Sequence, residues 1–112
     1  MSIDSFNNYL REEIFYEFGD RFRSRKMFGG VGYYLDDRIF GLLVSDGDVY
    51  FKVGENNKAE YEKYHSKPFI YEGHSSKGPT SMPYWRVPDE VLEDHQTVLS
   101  WAEKAAENSK AK

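Results

Sequence analysis

The residues able to carry chemistry here are few in kind. Cysteine is absent from the 112 residues, which removes thiol nucleophiles, disulfides and Cys-ligated zinc or iron–sulfur clusters. His65, His74 and His95 lie 9 and 21 residues apart, so no helical metal-ligand spacing joins them, and each falls at a helix end or in a loop, where a solvated imidazole is expected. His74-Ser75-Ser76-Lys77 brings a nucleophile and a base together in sequence. It lies in a loop and lacks the strained Gly-x-Ser-x-Gly elbow that preorganises a serine. Asp36-Asp37 and Asp46-Gly47-Asp48 resemble acid–base pairs, but hairpin tips use the same residues for turn chemistry. Gly29-Gly30-Val31-Gly32 begins like a phosphate loop and then has Leu35 where the third glycine belongs. No helix start follows to hold a phosphate, so a tight turn plus a small residue for close packing is the better reading.

Two non-catalytic features remain. Arg21, Arg23, Arg25 and Lys26 form the one dense positive cluster. On an extended strand the three arginines share a face, which suits a solvated edge guarded by charge, a strand facing acidic helices, or a contact surface for an acidic partner or nucleic-acid phosphates. The second feature is the aromatic content, 17% of the chain. Tyrosines alternate with charged groups, as at the edge of a core; a surplus too large to bury would mark a dimer interface or a peptide groove.

The length predicts one domain. The formal charge of −4 is unevenly spread, with acidic ends around a mildly basic middle, a balance that makes direct duplex binding the lesser reading. No apolar run spans a membrane and no signal peptide is evident, so a cytoplasmic location is expected.

The elements that must position these residues follow from periodicity. Ile3, Phe6, Leu10, Ile14 and Phe18 predict a helix, capped by Ser2 or Asp4 and ended by Gly19. Four strands are predicted at 22–28, 31–35, 38–45 and 49–53, joined by Gly29-Gly30, Asp36-Asp37 and Asp46-Gly47. The third, apolar on both faces, is expected to be central and at least partly covered on both sides, with Gly41 admitting a bulky neighbour or marking a bulge. Asn56-Asn57 caps a short helix to about Tyr64, a strand pair follows at 68–72 and 82–87, and Asp94 caps a last helix bearing Val98, Leu99, Trp101, Ala102 and Ala105. The expected architecture is an α+β fold, a two-layer sandwich of one antiparallel sheet with flanking helices in the order α-β4-α-β2-α. The domain is expected to occupy residues 1–107, with a frayed tail over 108–112.

The ordered set Arg25-Lys26-Met27-Phe28-Gly29-Gly30-Val31-Gly32-Tyr33-Tyr34, Phe40-Gly41-Leu42, Val49-Tyr50-Phe51-Lys52-Val53, Pro68-Phe69-Ile70-Tyr71, Met82-Pro83-Tyr84-Trp85-Arg86-Val87-Pro88 and Leu99-Ser100-Trp101-Ala102 resembles the TfoX N-terminal domain family of the Sxy/TfoX competence regulators. The resemblance covers about residues 4 to 107 and implies a fold similar to secretion-chaperone-like proteins. It implies a transcriptional co-regulator's interaction module with no catalytic residues, cofactor or metal, and a protein partner such as a transcription factor. The larger members add a C-terminal domain; these 112 residues correspond to the N-terminal domain alone. Met27, Phe28, Gly29, Gly30 and Gly32 are then the structural motif, while Arg23, Arg25, Lys26, Tyr33, Tyr84 and Arg86 are the candidate partner-binding residues. A small peptide- or ligand-binding homodimer is the alternative.

Overall fold

The computed structural model describes residues 3–27, 29–71 and 80–109. Six strands, β1 (Phe22–Met27), β2 (Gly30–Leu35), β3 (Arg38–Leu43), β4 (Val49–Lys52), β5 (Pro68–Tyr71) and β6 (Thr80–Arg86), form one antiparallel sheet in the order β1-β2-β3-β4-β6-β5. Helices α1 (Ile3–Tyr9), α2 (Lys58–Lys63), α3 (Asp89–Leu92) and α4 (His95–Ala106) complete the α+β architecture.

The turn residues explain the meander. Asp36 and Asp37 both adopt left-handed backbone (φ 52° and 63°), as a two-residue hairpin matched to strand twist requires. Asp46 accepts the Asp48 amide at 2.8 Å, closing a side-chain-mimicked turn around Gly47 at φ 91°. At the other end of the fold, Asp94 accepts the Thr97 amide and caps α4.

The first helix departs from the expected continuous one. Ser2 lies outside the described residues, and Asp4 sits inside the first turn instead of capping it. After Tyr9 the chain widens into a π-type turn, Leu10–Ile14, then tightens into 3₁₀ turns over Phe15–Arg21, broken at Gly19 (φ 60°, ψ −136°). The cause is in the spacing: Phe6, Leu10, Ile14 and Phe18 recur every four residues, and an α-helix of 3.6 residues per turn rotates such a series steadily off its face. A wider turn brings Leu10 and Ile14 back to the core. It also turns Phe15 inward, fully buried, with its ring centroid 5.2 Å from Phe22, 5.4 Å from Tyr33 and 5.2 Å from Phe40.

The described helices pack on one face of the sheet, where Val31, Tyr33, Leu35, Leu43, Val49 and Phe51 meet Leu10, Phe15 and the Val98–Ala106 face of α4. β3 is thus central but covered by helices on one side only, and Leu42 on the other side is half-buried. Gly41 admits Phe51, since a Cβ there would lie 2.9 Å from the Phe51 ring. The irregularity in this strand pair falls beside Gly41, where the register shifts between Tyr33 and Tyr34 opposite Phe40.

The C-terminal end is held further than the expected fray at residue 108. Asn108 donates to Asn56 at 3.0 Å, and the buried Ser109 hydroxyl donates to the Ile39 carbonyl at 2.6 Å. Buried Asn57 stands at the start of α2, but its side chain accepts from Gly54 and donates to Lys52 instead of capping the helix. Gly54 has no room for a side chain, because a Cβ would lie 2.2 Å from Asn108 Oδ1.

Candidate interaction surface

Strand pairing decides which side chains share a surface. Arg23 pairs with Tyr34, Arg25 with Gly32 and Met27 with Gly30, while Ser24 pairs with Tyr33 and Lys26 with Val31. Tyr33 is fully buried among the helices, where its hydroxyl donates to Asn7 at 2.8 Å and burial pushes its ionisation far up. The candidate Tyr33 therefore packs the core, and its neighbour Tyr34 takes the place beside Arg23 on the opposite, helix-free face.

That face runs from Arg23 and Arg25 on β1, past Tyr34, Leu42 and Tyr50, to Tyr84 and Arg86 on β6. Gly32 lacks a side chain where Met27 folds across it, a Cβ there meeting the Met27 methyl at 2.6 Å. Gly30 lies against the Leu43 carbonyl, at 2.1 Å from such a Cβ, so both glycines serve close packing, and Gly29 takes φ 77° in the turn. Tyr50 packs on Phe69 with ring centroids 5.1 Å apart, and its hydroxyl donates to Asp46. Burial, then the neighbouring Asp46 carboxylate, push Tyr50 up to about 12. Burial likewise raises Tyr84, over whose ring the Lys52 ammonium sits at 5.9 Å.

The candidate cations differ in how far neighbours neutralise them. Arg86 is clamped between Asp48 at 3.3 Å and Asp89 at 3.0 Å. Arg23 is 75% exposed and reaches Asp37 only at 3.9 Å. Arg25 and Lys26 are exposed and have no ion-pair partner among the described residues. Arg21, grouped with them in the sequence, lies outside the sheet and binds Asp36 and Glu103. The structure thus brings Arg23, Arg25 and Tyr34 together around a shallow depression of about 340 Å³ and leaves Tyr84 and Arg86 three strands away.

One property emerges only when the strands are taken as a set. Among the described residues the six strands carry Arg23, Arg25, Lys26, Arg38, Lys52 and Arg86 and not one Asp or Glu. Sequence reading reached the acidic ends and basic middle; Tyr34 and Lys52 as face residues were missed. The signal that finds Tyr34 is the hairpin at Gly29-Gly30, which fixes Tyr34 opposite Arg23 and Tyr33 opposite Ser24.

Phe28 and the His74–Lys77 loop lie outside the described residues. His65 is exposed at φ 59°, and His95, at the start of α4, pairs with Glu17. Among the described residues no three His, Asp or Glu cluster in a way that could hold a metal, and no helix is long and apolar enough to cross a membrane.

A curated relative, the DNA transformation protein TfoX1 of Aliivibrio fischeri (strain ATCC 700601 / ES114), is 31% identical over 102 residues, covering 88% of this chain and 47% of that protein. The chain therefore spans about half the length of this relative. The family model of the TfoX N-terminal domain matches residues 13–109, and the chain belongs to the TfoX N-terminal domain family.

Proposed function

We propose that this domain is a regulatory interaction module of the TfoX type, serving DNA-uptake competence by contact with a protein partner such as a transcription factor and not by turnover. The observation that carries the reading is the exposed trio Arg23, Arg25 and Lys26 on a sheet whose strands hold no acidic side chain among the described residues. Acids are the commonest neighbours of surface cations, and Arg25 and Lys26, with no acidic partner among the described residues, keep their charge available to another molecule. The name of the relative, DNA transformation protein TfoX1, supports the process in which such a contact would act.

The test replaces Arg23, Arg25 and Lys26 together by Ala in the native host and measures transformation frequency. In parallel, a photo-crosslinker is placed at Ser24. Loss of transformation and of the crosslinked partner, with an unchanged melting temperature of the purified variant, is the expected result. Retention of both overturns the reading.

A further inference from the structure

We propose, resting on that reading, that the free edge of β1 is a docking strand: an extended acidic segment of a partner protein adds to the sheet beside it. The sheet has two edges, β1 and β5. β5 spans four residues, starts at Pro68 and shifts register against β6, so it is a poor template. β1 spans six residues, contains no proline and pairs with β2 without interruption.

Ladder geometry identifies the groups on offer. The Asp36 amide donates to the Arg21 carbonyl at 2.8 Å, one step before the first β1–β2 pair. Antiparallel pairs alternate between bonded and non-bonded, so Arg23, Arg25 and Met27 bond to β2. Phe22, Ser24 and Lys26 turn their N–H and C=O groups to the open edge, as strand addition requires.

Side-chain charge then selects the occupant. Arg23 and Arg25 stand on the helix-free face and Lys26 on the other, so an incoming strand meets cations on both faces at cross-strand distance, where opposite charges stabilise and like charges repel. A second copy of this chain would set Arg and Lys against Arg and Lys. The same cations that guard the edge against its own kind are satisfied by carboxylates, alternate ones on the incoming strand facing Arg23 and Arg25. Single-stranded nucleic acid also carries negative charge, but it needs rings free to stack on bases, and Tyr34, Tyr50 and Tyr84 are each only 8% exposed.

The probe is a fluorescein-labelled peptide of alternating Glu and Val, followed by anisotropy with the full chain. Ser24→Pro removes an amide that faces away from β2, leaving the charges and the β1–β2 ladder in place; Arg25→Glu reverses one charge. Each is expected to weaken binding by at least about tenfold. The same peptide N-methylated at alternate amides, with its charge intact, is expected not to bind wild-type protein, a comparison that decides the matter even where Ser24→Pro fails to fold. Amides of Ser24 and Lys26 should gain hydrogen-exchange protection in the complex.

Equal binding of the N-methylated peptide overturns strand addition. So does binding of a mixed-sequence single-stranded oligonucleotide in place of the peptide, or self-association in sedimentation that Ser24→Pro abolishes. If the peptide fails to bind while the triple alanine variant still loses its partner in the host, this inference falls and the proposed function stands. If the peptide binds as expected and host transformation ignores the triple variant, the proposed function falls.

Discussion

The hydroxyl of Tyr33 donates to the side-chain oxygen of Asn7 at 2.8 Å inside the core, tying the first helix to the second strand. The fully buried hydroxyl of Tyr61, by contrast, has no hydrogen-bond partner among the described residues. Removing the two hydroxyls should therefore have opposite consequences. Tyr33→Phe strands a buried acceptor and should destabilise the fold by about 1–2 kcal/mol, while Tyr61→Phe removes an unsatisfied group and should be neutral or stabilising by up to about 1 kcal/mol. Urea unfolding of the two variants checks this, and equal destabilisation would contradict it.

Glycine replacement separates backbone fit from flexible contact. At Gly41 a Cβ meets the fully buried Phe51 ring at 2.9 Å and the Tyr50 carbonyl at 3.0 Å. Gly41→Ala should cost about 1–3 kcal/mol. At Gly32 the nearest atom is the mobile end of Met27, so Gly32→Ala should shift the denaturation midpoint less.

Arg21 holds the Asp36 carboxyl below its ordinary value of 3.8, through hydrogen bonding first and charge second. Because the folded value is depressed, any stability this pair adds is present above that ordinary value and is lost as pH falls through the folded one. The pair is solvent-exposed, so the effect on stability is small. The sharper measurement is the NMR titration of the Asp36 carboxyl, which should move upward in Arg21→Gln.

Tyr50 should ionise at about 12, and Asp46→Asn should lower that value toward the ordinary 10.0 by removing the adjacent negative charge. The folded value is raised, so folding stability should decline as pH climbs from the unfolded value near 10.0 through the folded one near 12. Ultraviolet phenolate titration of wild type and variant tests this; an unmoved Tyr50 transition would refute the Asp46 contribution.

The strands and hairpins were legible because their determinants are local. Asp36-Asp37 and Asp46-Gly47 fix turns by side-chain and backbone preferences that tolerate left-handed geometry, and alternation between them fixes strands. The first helix was legible only as a stripe: its widening at Leu10–Ile14 depends on how a four-residue repeat meets the sheet, which made Phe15 the centre of the aromatic core. The basic trio was visible as a cluster, but its division between two faces, and the exchange of Tyr33 for Tyr34, depend on pairing across Gly29-Gly30. The docking of the described helices on one side of β3 alone is a tertiary outcome that the apolar run Ile39–Val44 does not encode.

A chain of net charge −4 would be slow to meet an acidic partner if that charge were spread evenly. Among the described residues the strands hold six cations and no acid, while the helices hold more acids than bases, so charge is separated between sheet and helices. In a partner's field such a molecule is turned before it touches, sheet side leading. Association should therefore slow as ionic strength rises while the lifetime of the complex changes little, so that salt governs how often the two meet and much less how long they stay together.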